Sequence, residues 1–196
     1  QGTKMKKFSK AITPLIEGYH HFRELYYHGT ERKKFERLVS KGQKPKIMLI
    51  SCCDSRVDPA VLFDTDPGDL FVVRNVANLV PPCDTSPHHH ATSSALEFAV
   101  RVLKVDHVIV VGHTNCGGIR ALMEEPAEMG DDAEHSFILQ WMAIAKEARR
   151  QVKEEAADKT IDEQVNLCEH KSVEISYQNL KSFPFVQDAM KAGTLN

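Results

Sequence analysis

Long apolar runs are missing from this sequence. The strand-like runs 47–50 and 108–111 are four residues each, whereas a helix crossing a bilayer needs about 20. The first residues also lack the continuous apolar core of a secretory signal. No sign of charge is in excess: 25 Lys and Arg face 27 Asp and Glu, for a net charge of −2. With no Lys/Arg stripe either, a generic nucleic-acid binder is excluded. Cysteine is scarce. Five residues, an odd number, read as thiols for metal or catalysis rather than as a disulfide framework. No G-x-G-x-x-G loop, internal repeat or low-complexity linker is found. A content of 42% apolar and 27% charged residues excludes a disordered chain. A chain of 196 residues buries enough surface to fold as one domain without staples. The expectation is a soluble, cytoplasmic globular protein with no membrane and no nucleic acid among its partners.

The pattern predicts an α/β fold: a mostly parallel central sheet flanked by helices, behind an N-terminal helical arm. Met5 reads as a natural start, with residues 1–4 a remnant ahead of it. Phe8, Ile12, Leu15, Tyr19, Phe22 and Tyr26, then Phe35 and Leu38, recur at helical spacing, broken by Pro14, Gly18 and Gly29. This gives an arm over 1–42. The sheet and its helices take 43–196, within a single domain spanning 1–196. Segments 46–51 (KIMLIS), 70–73 and 107–111 (HVIVV) read as strands buried on both faces. Between the last two, residues 94–103 read as a crossover helix, with Ser94 and Glu97 at capping-box spacing. Beyond Gly118 the chain reads as helical. Phe137, Trp141, Ala145, Ala148 and Val152 share one face; Ile161, Val165, Cys168 and Leu180 share another.

Two segments carry the chemistry. Cys52-Cys53-Asp54-Ser55-Arg56 follows the first strand, and His113-Thr114-Asn115-Cys116-Gly117-Gly118 follows the third. Both lie at carboxyl ends of strands, where open parallel sheets place their crevices. If these strands are neighbours, Cys52, His113 and Cys116 converge, and two thiolates with an imidazole suit zinc with a fourth position open. Gly117 and Gly118 permit a tight turn into a helix whose N-terminal end favours a thiolate at Cys116. A lone cysteine at a strand end is more often core than ligand; it is the combination that points to metal. A cysteine-phosphatase loop needs five residues between Cys and Arg, and Cys52 and Arg56 are separated by three. The vicinal Cys52-Cys53 is a poor redox motif. Asp54 and Arg56, two apart, form either a structural ion pair or an oriented acceptor beside a metal-bound water. His88-His89-His90 sits in a Pro-rich loop without a matching cluster and is set aside, as are Cys53, Cys83 and Cys168.

These residues resemble the β-class carbonic anhydrases. The resemblance rests on C-x-D-S-R at Cys52, Asp54, Ser55 and Arg56, on H-x-x-C-G-G at His113, Cys116, Gly117 and Gly118, and on FVVRNVAN at 71–78. It implies Zn2+ held by Cys52, His113 and Cys116, with Asp54 and Arg56 as the catalytic dyad. The implied reaction is reversible hydration of CO2 to bicarbonate and a proton. Because two thiolates cancel the metal's charge, the water should be less acidic than in an all-His site, where its pKa is about 7, and turnover should rise on the alkaline side. The family has an open-site subgroup, with Gln nine residues before the first ligand, and a bicarbonate-regulated subgroup, with Trp three before it. Here those positions are Gln43 and Leu49, which imply the open type. The resemblance further assigns substrate contact to Gln43, Phe71, Ala77, Phe98 and Gly117, with Val76 nearby, and implies a homodimer or a dimer of dimers. Family members continue into further C-terminal strands, absent from this sequence; either those residues are missing from it, or the HVIVV strand is an apolar edge covered by a partner or a helix. Rival readings are a related zinc hydrolase of CS2 or COS, and a non-catalytic zinc-stabilised redox or assembly protein.

Overall fold

A computed structural model describes residues 10–86, 90–124 and 136–196. The chain forms two compact units, Gln1–Gln43 and Lys44–Asn196. In the first, α1 (Thr13–Arg23) begins at Pro14 in its first turn and runs on through a wider π-type turn, Glu24–His28. After the break at Gly29 comes α2 (Arg32–Lys41). Aromatic residues hold this unit together: Phe22 lies 4.8 Å from Tyr26 and 5.6 Å from Phe35, ring centre to ring centre. Phe8 falls outside the described residues.

In the second unit β1 (Ile47–Cys52), β2 (Leu70–Asn75) and β3 (His107–Val111) form a parallel sheet in the order β2-β1-β3. Cys52 is opposite Asn75, and Ser51 is opposite both Arg74 and Val111. Central placement explains why β1 alone has the buried pattern expected of all three. His107 and Ile109 of β3 face solvent because, among the described residues, no strand pairs along its outer side. At its start that side is covered. Asn196 N–H donates to Asp106 O (3.0 Å), Val108 N–H donates to Asn196 O (3.2 Å), and Leu195 is buried.

Met48 and Ile50 pack with Val80, Leu96 and Val100 on one side of the sheet, closed by α9 (Pro184–Lys191). A second core joins α5 (Gly117–Glu124), α7 (Lys146–Glu155) and α8 (Ile161–Leu180) through Ile119, Met123, Ala148, Val152, Val165 and Cys168. Short helices α3 (Pro59–Leu62) and α6 (Phe137–Met142) complete this unit with the crossover helix α4 (Ala91–Glu97). Helix α4 starts four residues earlier than a capping box at Ser94 predicts, with His90 in the N-cap place. Ser94 lies inside it and donates to Ala91 O (2.9 Å), while Glu97 pairs with Arg101 instead of capping. The box that does form is Thr160 with Glu163, at the head of α8. Phe137, expected on a buried face, is 90% exposed, because 137–155 is broken into α6, a 3-10 turn and α7. Ile161 is likewise exposed.

Candidate metal centre

Strand order brings the two motifs together. With β1 beside β3, Cys52 ends one strand and His113 follows the other by two residues. The ligand atoms of Cys52, His113 and Cys116 lie within 4.8 Å of one another. His113 Nδ1 is 2.9 Å from Thr114 O, which turns Nε2 inward. There Nε2 is buried beside the Cys52 sulfur and meets no hydrogen-bond partner of good geometry among the described residues. A buried imidazole nitrogen without a partner, facing two sulfur atoms, is costly unless a further species binds it. The soft S, S, N donor set fits zinc, whose bonds to sulfur and nitrogen are about 2.0–2.3 Å.

Main-chain N–H groups prepare the sulfurs for negative charge. Asp54 and Ala77 N–H point at Cys52, and Gly118 and Ile119 N–H, in the first turn of α5, point at Cys116. The two thiols share one proton. Cys116 donates to Cys52, which is pushed down to about 4, while the same contact and burial push Cys116 well above its usual range. Metal uptake must expel that proton. Zinc affinity is therefore expected to tighten with rising pH, about tenfold per unit for this proton, since each proton released contributes one power of ten. Chelator competition at pH 6.5 and 7.5 checks this; equal affinities would contradict it.

The loops are built around this cluster. Ala77 (φ 61°) and Asn78 (φ 48°) are consecutive left-handed residues that aim the Ala77 N–H. Such a turn costs free energy unless its surroundings hold it. Asn75 brackets it, accepting from Leu79 N–H (2.9 Å) and donating to Leu79 O (2.8 Å). Trp141 Nε1 donates to Val76 O (2.8 Å) from the side. On the second loop, left-handed Asn115 precedes Cys116, whose N–H donates to Oε1 of the buried Glu169 of α8 (2.7 Å). Close approach explains two glycines. A Cβ on Gly118 would lie 2.9 Å from Val76 Cγ1, and one on Gly112 would lie 2.6 Å from Val173 Cγ2. Gly117, by contrast, has open space. Gly112→Ala is expected to cost about 1–3 kcal/mol by forcing β3 and α8 apart. Val173→Ala should restore much of that loss, a non-additivity readable by denaturant melts.

Asp54 is turned toward Arg56. Its Oδ1 accepts from Arg56 Nε and N–H (both 2.9 Å) and its Oδ2 from Nη2 (2.7 Å). Arg56 Nη2 also donates to Asn115 O (2.8 Å), tying the first loop to the second. These bonds, with the guanidinium charge, hold the Asp54 carboxyl well below the usual carboxylate range.

Other expected site residues are placed less closely. Ala77 is buried beside Cys52. Phe71 packs against the Met48 core and meets the exposed Phe98 ring at a tilt, 5.8 Å between centres. Phe71 is opposite Met48, about 13 Å along the sheet from Cys52 at 3.3 Å per residue. Gln43 is an exposed loop residue closing the first unit. His88 and His89 lie outside the described residues; His90 lines a largely apolar cavity of about 890 Å³ with Cys53, Arg74, Val76, Ile138 and Trp141. Sequence reasoning did not single out Arg74, Trp141 or Glu169 for the site. Glu169 had a signal: it is a carboxyl four residues after Val165 on the face of α8 that also carries Cys168.

Comparison with known proteins agrees with this geometry. A family model described as carbonic anhydrase matches residues 47–196. β-Carbonic anhydrase 5, chloroplastic, from Arabidopsis thaliana is 40% identical over 158 residues, 81% of this chain and 51% of that protein. Mitochondrial β-carbonic anhydrase 6 of the same plant is 40% identical over 163 residues, 83% of this chain and 54% of that protein. The chain thus spans about half the length of the curated relatives it matches. Among solved structures, the β-carbonic anhydrase CcaA superposes with a TM-score of 0.84 at 29% identity, covering 95% of this chain and 87% of that one. A tetrameric β-carbonic anhydrase from Sordaria macrospora gives 0.78 at 28% identity, over 93% and 87%. The cytoplasmic expectation is overturned: both curated relatives are organellar and point to an organelle. The sequence argument for the cytoplasm rested on a missing secretory core, which does not bear on chloroplast or mitochondrion. Two ligand loops at adjacent strand ends, a family match through the whole sheet and relatives at 40% identity lead to one conclusion: this chain belongs to the β-carbonic anhydrase family.

Proposed function

We propose that the chain hydrates CO2 reversibly to bicarbonate and a proton, using zinc held by Cys52, His113 and Cys116. The observation that carries this is His113, whose Nε2 is buried without a hydrogen-bond partner among the described residues, in a cluster with Cys52 and Cys116 whose ligand atoms lie within 4.8 Å of one another. Bound zinc would acidify a water and so supply a nucleophile for CO2 near neutral pH. Asp54, kept ionised by Arg56, accepts a hydrogen bond from the attacking water and orients it. Arg56 holds that carboxylate in a two-bond fork and keeps it from turning to the metal. The Ala77 and Asp54 N–H groups hold the Cys52 sulfur in place. Gln43, Phe71, Ala77, Phe98 and Gly117 are assigned to substrate contact. Because Phe71 and Phe98 sit down the sheet from Cys52, we place them at a contact between copies, in a dimer or dimer of dimers; a tetrameric relative supports assembly.

The site is of the open type. Asp54 stands outside the atoms clustered within 4.8 Å and is engaged by Arg56, while Leu49 offers no indole N–H to a regulatory anion. Stopped-flow CO2 hydration of the zinc-loaded protein, with CS2 and COS assayed beside it, tests the proposal. It predicts CO2 as the fast substrate and bicarbonate as a simple product inhibitor. Faster turnover of CS2 or COS, or sigmoidal bicarbonate inhibition, would contradict substrate and subgroup respectively.

A further inference from the structure

We infer that Arg74 is a positioning residue, whose guanidinium fixes the angle between the Cys52 sulfur and the Asp54 carboxylate by clamping the main chain that carries both. Arg74 interrupts the otherwise apolar LFVV run of β2, and only 26% of its side chain is exposed. A charged group so placed must be compensated. Its partners are specific. Nε donates to Cys52 O (2.9 Å), Nη2 to Asp54 O (2.7 Å) and Nη1 to Asp58 Oδ2 (2.6 Å).

The segment needs such a clamp. Cys53 N–H makes a last strand-type bond to Asn75 O (2.8 Å), after which the chain leaves the sheet for a 3-10 turn at Ser55–Val57. From there to α3 the main chain has no neighbouring strand among the described residues. Arg74 supplies the missing support by binding one carbonyl on each side of Cys53. The third bond anchors the guanidinium itself. Asp58 is fixed because its Oδ1 caps α3 at Ala60 N–H (3.1 Å), leaving Oδ2 for Arg74. Holding the Asp54 carbonyl sets that residue's ψ, 128°, and hence the direction in which its carboxylate departs toward Arg56. A planar fork with divergent donors satisfies three acceptors in three directions; a lysine ammonium, a point charge on a flexible stem, does not.

The inference rests on the carbonic-anhydrase reading for its kinetic arm, and the spectroscopic arm is independent of it. Arg74→Lys keeps the charge and loses the fork. In cobalt-substituted protein it should bind one metal per chain yet show shifted visible bands, because the ligand angles change. With zinc, kcat for CO2 should fall about 10–100-fold with KM little changed, as expected when a reacting group is misplaced by an ångström or less. Asp58→Asn, which keeps the fork and the helix cap, should move both readings the same way by less. If Arg74→Lys does not fold, Asp58→Asn carries the test. A variant with native cobalt bands and native kcat, differing only in melting temperature, would overturn the inference and leave Arg74 as a stabilising ion pair. Wild-type zinc protein without CO2 turnover would sink the functional reading, and the cobalt bands would still decide the role of Arg74.

Discussion

Asp54→Asn is expected to retain one zinc per chain and to lose about 10²–10⁴ in kcat, the usual weight of a positioned proton acceptor. The loss follows from donor arithmetic. Arg56 presents Nε, Nη2 and its main-chain N–H, all donors, to two carboxylate oxygens. An amide has one acceptor oxygen and an NH2. With its oxygen in the Oδ1 place, the NH2 meets Nη2 donor to donor; turned round, it meets Nε. The side chain must leave the fork, and it then donates where the water needs an acceptor. Arg56→Ala should reproduce much of the loss by freeing Asp54, and it also removes the tie to Asn115 O. Metal analysis beside stopped-flow rates separates this from loss of zinc. Near-native rates in both variants would reduce the pair to a surface ion bridge.

Cys116→Ser is expected to weaken zinc binding by at least about 10³-fold, because one thiolate carries a sizeable share of a binding free energy of about 10–16 kcal/mol. A serine hydroxyl stays protonated at neutral pH and offers no comparable ligand. The serine O–H can still donate to Cys52 in place of the S–H, so the loss lies in the missing thiolate and not in the Cys52 ligand. Fold stability should change far less, since Gly118 and Ile119 N–H still find a side-chain acceptor at the head of α5. Equilibrium dialysis with zinc measures the first effect and thermal melts the second. Stoichiometric zinc in this variant would refute the ligand assignment.

The Cys52, His113 and Cys116 cluster and the Asp54–Arg56 pair were legible in the sequence because their chemistry is local. Cys52, Asp54 and Arg56 lie within five positions, His113 and Cys116 within four, and each group closely follows a β-branched or aliphatic run that reads as a strand. Strand adjacency, the one nonlocal requirement, follows from the parallel order β2-β1-β3. What braces the loops was not legible, because it comes from residues distant in sequence. Glu169 reaches Cys116 across 53 positions, Trp141 reaches Val76 across 65, and Arg74 reaches Cys52 across 22. Apart from Glu169, a carboxyl on the Cys168 face of α8, their residue types suggest nothing until packing sets their partners. The left-handed Ala77 was hidden for a related reason: alanine carries no turn propensity, and its conformation is imposed by Asn75 and Trp141. Burial of β3 was overestimated from composition, since an apolar run does not reveal whether its strand is central or at the edge.

The most direct test is a zinc titration of the metal-free protein, following CO2 hydration by stopped flow at each step. The account predicts no turnover without metal, a linear rise, and a plateau at one zinc per chain, with Cys116→Ser flat throughout. Turnover in the metal-free protein, or a fully loaded wild type that does not hydrate CO2, would contradict it.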